Sequence, residues 1–218
     1  MVEAAKSLFL ILTALFPIVD PLGGAPIFLA MTRQYAPATR RALSWRIAVN
    51  SFFLLVGSYY IGAHILTIFG ISLPVVQVGG GLVVISTGWT LLKQGGGFSQ
   101  KDAIAKPEDA FRSAFYPITF PLTVGPGSIS VAITVGADTP THQRFSILMI
   151  LAAVIACALL AISIYICYGF ADRIGRVLGD TGMLVIVQLT SFLLVCIGVH
   201  IFWNGASTLL AAVPFHAS

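Results

Sequence analysis

The chain has 218 residues, of which 12 are lysine or arginine and 8 are acids, a formal net charge of +4. Charged side chains make up 9% and hydrophobic ones 57%, with a mean hydropathy of +0.95, where a soluble domain carries about 25% charge. This excludes a soluble globular domain and a disordered chain, and the dispersed cations form no basic face for a nucleic acid. What fits is a polytopic membrane protein, with room for about six helical spans of about 20 apolar residues.

The first candidate span, residues 8–31, follows Lys6 and is apolar except for Asp20. Its start resembles a signal peptide, but no small-x-small cleavage site follows the run 8–16, so it reads as a retained span. Charge-free runs follow at 47–69 and 73–92. A polar segment then carries Lys101, Asp102, Lys106, Glu108 and Asp109 beside Gly95-Gly96-Gly97, and reads as a flexible cytoplasmic linker. Residues 114–136, 145–171 and everything after Asp180 are again free of charge. The expected organisation is a first three-helix unit at 1–93, a linker at 94–113 and a second three-helix unit at 114–218. Lipid offers no water to backbone groups, so each span should be helical. An outer-membrane barrel would show short alternating segments rather than these long continuous runs.

The basic residues set an expected topology. Arg33, Arg40, Arg41 and Arg46 lie between spans one and two, Lys93, Lys101, Lys106 and Arg112 in the centre, and Arg173 and Arg176 between spans five and six. These connections share one side, which the positive-inside rule makes cytoplasmic, so both termini should face away from the cytoplasm. Trp45, Trp89 and Trp203 fall near span ends, where interfacial anchors sit. Cys157, Cys167 and Cys196 lie in apolar runs with no CxxC spacing, and read as small apolar side chains.

The two halves share a motif. Residues 17–26 read PIVDPLGGAP and residues 117–126 read PITFPLTVGP, with the same three proline positions in each. Gln77 and Gly88 also resemble Gln188 and Gly198 in spacing. Because each half holds an odd number of spans, the second enters the membrane in the opposite sense. The expected fold is therefore an all-α membrane protein of six transmembrane helices, a 3+3 inverted-topology repeat of the kind found in many secondary transporters.

Three prolines within ten residues, beside Gly23-Gly24 or Gly125, should unwind the first helix of each half. Such backbone is tolerated at membrane depth only where it is buried or lines a cavity. Pro26 and Pro126 are expected at the first turn of the second half-helices. The N–H groups that follow, around Ile27-Phe28 and Gly127-Ser128, would then bind an anion, and freed carbonyls upstream a cation. Asp20 is the sole acid inside a span and faces Phe120 in the repeat, which suits an asymmetric site for a small zwitterion, or for sodium or a proton. Thr123 and Ser128 can donate to a carboxylate. The expected binding set is Asp20, Pro21, Gly23, Gly24, Pro26, Thr123, Gly125, Pro126, Gly127 and Ser128, with Asn50, Gln77 and Gln188 lining the cavity or joining helices. His64 and His200 read as packing residues near span ends. The glycines at 79–81 and Gly88 should make room for the broken helices, and serve a homo-oligomer as readily as the internal core. No phosphate loop, metal set or hydrolase elbow occurs, so neither an enzyme nor a cofactor or metal is expected.

At Pro21-Leu22-Gly23-Gly24-Ala25-Pro26-Ile27-Phe28-Leu29 and Pro121-Leu122-Thr123-Val124-Gly125-Pro126-Gly127-Ser128 the sequence resembles the MarC family of integral membrane proteins, over essentially its whole length. Some members are described as neutral amino-acid transporters of the SnatA type. The family usually has Asn-Pro where this chain has Asp20-Pro21, a change that adds a charge and bears on substrate or ion coupling. The resemblance and the motifs together imply an inner-membrane secondary transporter of small neutral amino acids such as glycine or alanine. It would work by alternating access, with H+ or Na+ as a possible coupling ion. An exporter of other small metabolites or drugs, or a passive channel, are the alternatives.

Overall fold

A computed structural model describes residues 2–32, 34–94, 113–139 and 146–212. The described residues are helical, with no strand. Helix α1 (Val2–Val19) is followed after one residue by α2 (Pro21–Met31). Helices α3 (Pro37–Ile68) and α4 (Leu73–Gln94) complete the first half. The second half opens with a wide-turned π segment, Ala114–Thr123, followed by α5 (Pro126–Asp138), α6 (Ile147–Gly169) and α7 (Ala171–Ala211). Nearly all of the central linker, with its charges and its Gly95-Gly96-Gly97 run, lies outside the described residues, as do Arg33 and Arg144.

Five stretches are long and apolar enough to cross a membrane: Glu3–Met31, Pro37–Ile68, Leu73–Lys93, Ile147–Gly169 and Thr181–Ala211. The π segment and α5 make a sixth when taken as one span, bent by 65° at its break. Helix α7 is interrupted at Gly179, whose φ of 64° suits a residue without a Cβ. That turn separates a short charged stretch from the membrane span that follows.

The exterior is apolar. Phe53, Ile68, Leu189, Phe192 and Leu193 are more than half exposed, as a lipid-facing surface requires. The interior is built on small residues. Helices α4 and α7 form the broadest helix pair, and glycine lets their backbones meet. A Cβ built on Gly81 would stand 2.5 Å from Phe202 N, and one on Gly88 2.8 Å from Ser191 O. From the other side, a Cβ on Gly198 would stand 2.8 Å from Ile85 N. Gly80 instead faces Ser130 of α5. Of the expected glycines, then, Gly80 receives a broken helix, Gly81 and Gly88 receive α7, and Gly79 has nothing within 4 Å.

Around this pair, α1 and α2 lie against α6, and α2 also meets α7. The π segment and α5 lie against α3, and α5 also meets α4. On the linker side, Arg40 ties these elements together. It donates to the Thr32 carbonyl at the end of α2 (3.2 Å) and pairs with Asp172 at the start of α7 (2.7 Å).

Candidate functional site

The proline motifs break both helices, though not at equivalent places. In the first half the break is a single residue. Asp20 adopts a left-handed conformation (φ 43°, ψ 65°), and Pro21 starts α2. The Asp20 carboxylate caps the new helix, accepting from Gly23 N–H through Oδ1 at 3.0 Å. Proline suits the first helical position because its missing donor would have no partner there. The expectation for Pro26 is thus corrected: it lies inside α2, buried, and Pro21 takes the N-terminal place. Ile27 and Phe28 are buried in the helix interior, so their N–H groups do not form an anion site.

In the second half the expectation for Pro126 holds. Helix α5 begins at Pro126, after an extended Gly125 (φ −86°, ψ 179°) that supplies no capping side chain. Two further residues upstream, Tyr116 and Phe120, also leave helical geometry. Wide turns absorb the rest: Thr119 Oγ1 donates to Ala114 O at 2.6 Å, and Thr123 Oγ1 to Ile118 O at 2.8 Å. Each hydroxyl serves a carbonyl five residues back, where proline has disturbed the backbone ladder.

Between the breaks lies a cavity of about 680 Å³. Asp20, Gly23 and Gly24 line it from the first motif, and Thr123, Gly125, Pro126, Gly127 and Ser128 from the second. Pro21 and Pro26 shape the backbone behind it without lining it. Val84 and Thr87 of α4 and Thr190 and Leu194 of α7 close the sides. The cavity runs out past Met31, Leu91 and Tyr116, which stand at the ends of α2 and α4 and the start of the π segment, next to the linker. None of the residues that line it comes from the opposite ends of the helices.

That opposite side is packed. Tyr59 Oη and Thr139 Oγ1 are 3.1 Å apart, Ser130 Oγ donates to Val76 O at 3.1 Å, and Gln77 Nε2 donates to Thr134 Oγ1 at 3.4 Å. A Cβ on Gly136 would overlap the Tyr59 carbonyl. Gln77 therefore joins α4 to α5 and does not line the cavity. Asn50 and Gln188 are not in its wall either, and Gln188 is exposed on the outer surface. His64 and His200 are exposed, the latter 3.3 Å from Asn204.

The cavity has two chemically distinct poles. At one, Asp20 has no Lys, Arg or His partner among the described residues, and the Thr190 hydroxyl stands near its carboxylate, since a Cβ built on Gly23 would run into both. At the other, the N-terminus of α5 presents Gly127 and Ser128. Ser128 is 2% exposed and its hydroxyl makes no hydrogen bond among the described residues. A helix N-terminus with free donors favours an anion. A carboxylate at membrane depth favours a cation. The α2 N-terminus is different, because Asp20 already occupies it. No group of three or more His, Cys, Asp or Glu converges among the described residues.

Sequence reasoning missed Thr190, Thr87 and Tyr168. Thr190 and Thr87 sit in charge-free runs as ordinary helix hydroxyls, each bonded to its own preceding turn, at 2.8 Å to Ile186 O and 2.9 Å to Val83 O. Nothing in one sequence separates them from their neighbours. Tyr168 carries a polar tip near the end of an aliphatic span, a signal that was available.

The chain matches the MarC family integral membrane proteins over residues 5–210. An inner membrane protein MarC of Salmonella typhimurium strain LT2 is 30% identical over 94% of this chain and 96% of its own length. One from Escherichia coli O6:H1 is 31% identical with the same coverage. No solved structure matches the chain.

Proposed function

Because the chain belongs to the MarC family of integral membrane proteins, we propose that it is a secondary transporter of the inner membrane for small neutral amino acids such as glycine or alanine. The observation that carries this reading is the cavity between the two breaks, with a carboxylate that has no cationic partner among the described residues at one pole and an open helix N-terminus at the other. A zwitterion satisfies both poles at once. Its ammonium meets Asp20 and Thr190, and its carboxylate meets the N–H groups of Gly127 and Ser128 and the Ser128 hydroxyl. Of the two half-helix N-termini, only the second takes the carboxylate, since Asp20 fills the first. A proton or sodium ion is the coupling ion, held at Asp20 when the solute is absent.

The same reading makes the linker face cytoplasmic and puts both termini on the other side. The helix contacts support an inverted 3+3 repeat, since they come in exchanged pairs. What α1 and α2 do to α6, the π segment and α5 do to α3. Gly88 against Ser191 is mirrored by Gly198 against Gly81, each residue shifted by about 110 positions. A cavity that reaches one face while the other is packed supports alternating access over an open channel.

The test is uptake of labelled glycine and alanine into proteoliposomes under imposed proton and sodium gradients. Saturable uptake driven by one gradient is expected. No uptake under any gradient in either direction would overturn the reading, and non-saturating flux would favour a channel. If protons drive uptake, Asp20→Asn flattens its pH dependence.

A further inference from the structure

We propose that Tyr168 is a positioning residue that sets the separation of the two proline motifs and, on the transport reading above, the width of the solute site between them. It belongs to neither motif and is absent from the cavity wall. It comes from the end of α6 and is 2% exposed.

Its hydroxyl lies 3.0 Å from Thr123 Oγ1. Thr123 gives its own hydrogen to Ile118 O at 2.8 Å, so Tyr168 is the donor and Thr123 the acceptor. On the other side, the Tyr168 ring stacks on Phe28 of α2, with centroids 4.8 Å apart and planes 13° from parallel. The hydroxyl also stands over Gly24, where a built Cβ would run into it, with Cε1 and Cζ 3.2 Å away. One rigid side chain thus touches the backbone of the first motif and bonds the second. Among the described residues no side-chain hydrogen bond joins α2 directly to the π segment. Gly24 and Thr123 both line the cavity, so a shift of the ring changes the gap between them. Glycine at position 24 is required because the hydroxyl must sit that close.

Three variants test this: Tyr168→Phe, Gly24→Ala and the double variant. Losing one neutral buried hydrogen bond should raise the KM for glycine about fivefold with little change in kcat. Gly24→Ala should weaken glycine about tenfold or more, because the hydroxyl must move. The double variant should recover most of that loss, since without the hydroxyl the remaining ring contacts are only tight. A merely structural tyrosine would lower the amount of folded transporter and leave KM unchanged, so an unchanged KM in Tyr168→Phe would overturn the proposal, as would additive losses in the double variant. A second readout needs no transport. Spin labels at Leu22 and Phe115, which are 55% and 50% exposed, in a background freed of the three native cysteines, report the spacing of the motifs. Tyr168→Phe should broaden that distance distribution, and an unchanged distribution would overturn the proposal. Broadening in a protein that takes up no glycine or alanine would sink the transport reading and leave the positioning role standing.

Discussion

Asp20 holds two roles that ordinarily fall to different residues. One oxygen caps α2 through Gly23 N–H, and the carboxylate lines the cavity with no cationic side chain beside it among the described residues. The two roles separate by substitution. Asparagine keeps the acceptor and loses the charge. Asp20→Asn should therefore unfold at nearly the same temperature as the parent while its affinity for glycine falls. Asp20→Ala removes the cap as well, and should cost about 1 kcal/mol of stability in addition. Thermal unfolding in detergent beside glycine uptake distinguishes the two, and equal midpoints for both variants would remove the capping role. Gly23 is held to glycine by the same arrangement, since a Cβ there would overlap Asp20 and crowd Thr190 at 2.5 Å. The position of the break was partly legible. Asp20-Pro21 is itself a cap followed by a first-turn proline, yet the repeat drew attention to Pro26, the partner of Pro126. Counting prolines could not decide between two residues that both lack an N–H. The capping carboxylate decides it, and the second motif, with Phe120 in that place, breaks later.

That the apolar runs are helical was readable, because lipid leaves the backbone no other option, although α3 starts at Pro37, ten residues before the run 47–69, and α1 at Val2, ahead of Lys6. Their neighbours were not. Six apolar helices present six similar faces, and only the glycines mark which face meets which. Gly79 and Gly81 show how local that information is. Two positions apart in α4, one faces open space and the other stands under the backbone of α7. Gly79→Ala should be neutral or stabilise by up to about 1 kcal/mol through helix propensity. Gly81→Ala should destabilise by about 1–3 kcal/mol through overpacking. Thermal unfolding of the two variants side by side tests this, and like signs would contradict the packing. The Arg40 clamp was equally hidden. Four arginines between spans one and two read as a topology signal, and one of them, with a side chain only 11% exposed, bridges Thr32 and Asp172. Arg40→Lys should not replace it, because an ammonium cannot match the planar fork across two acceptors. The expected sign is a lowered unfolding temperature close to that of Arg40→Ala.

At the scale of the molecule, the open and packed faces differ in which broken helix closes them. On the side away from the linker, α5 is sewn to α3 and α4. Alternating access requires that seam to part. A Cβ built on Gly62 stands 3.3 Å from the Cβ of Ile133, close to the spacing of a disulfide. Gly62→Cys with Ile133→Cys, in a background freed of the native cysteines, should form a disulfide on oxidation. Uptake should stop while the bond is intact and return on reduction. Uptake that persists in the oxidised protein would mean that α5 does not leave α3 during the cycle. The cavity itself was legible as a requirement, since unwound backbone needs somewhere to be buried. Its side walls were not, because Thr87 and Thr190 are ordinary helix hydroxyls until the fold brings them to it.

The glycine-lined pairing of α4 with α7 has a consequence for biogenesis. The two helices close opposite halves of the chain, and the contacting residues Gly81 and Phe202 are over a hundred positions apart. During synthesis the first half therefore enters the bilayer with its glycine face bare and with the Asp20 break exposed to lipid. It stays so until the last helix emerges. The nascent first half is then a natural client for insertion factors and quality-control proteases. A chain stopped before residue 181 should be degraded far faster than the full protein, in a pulse-chase comparison in cells.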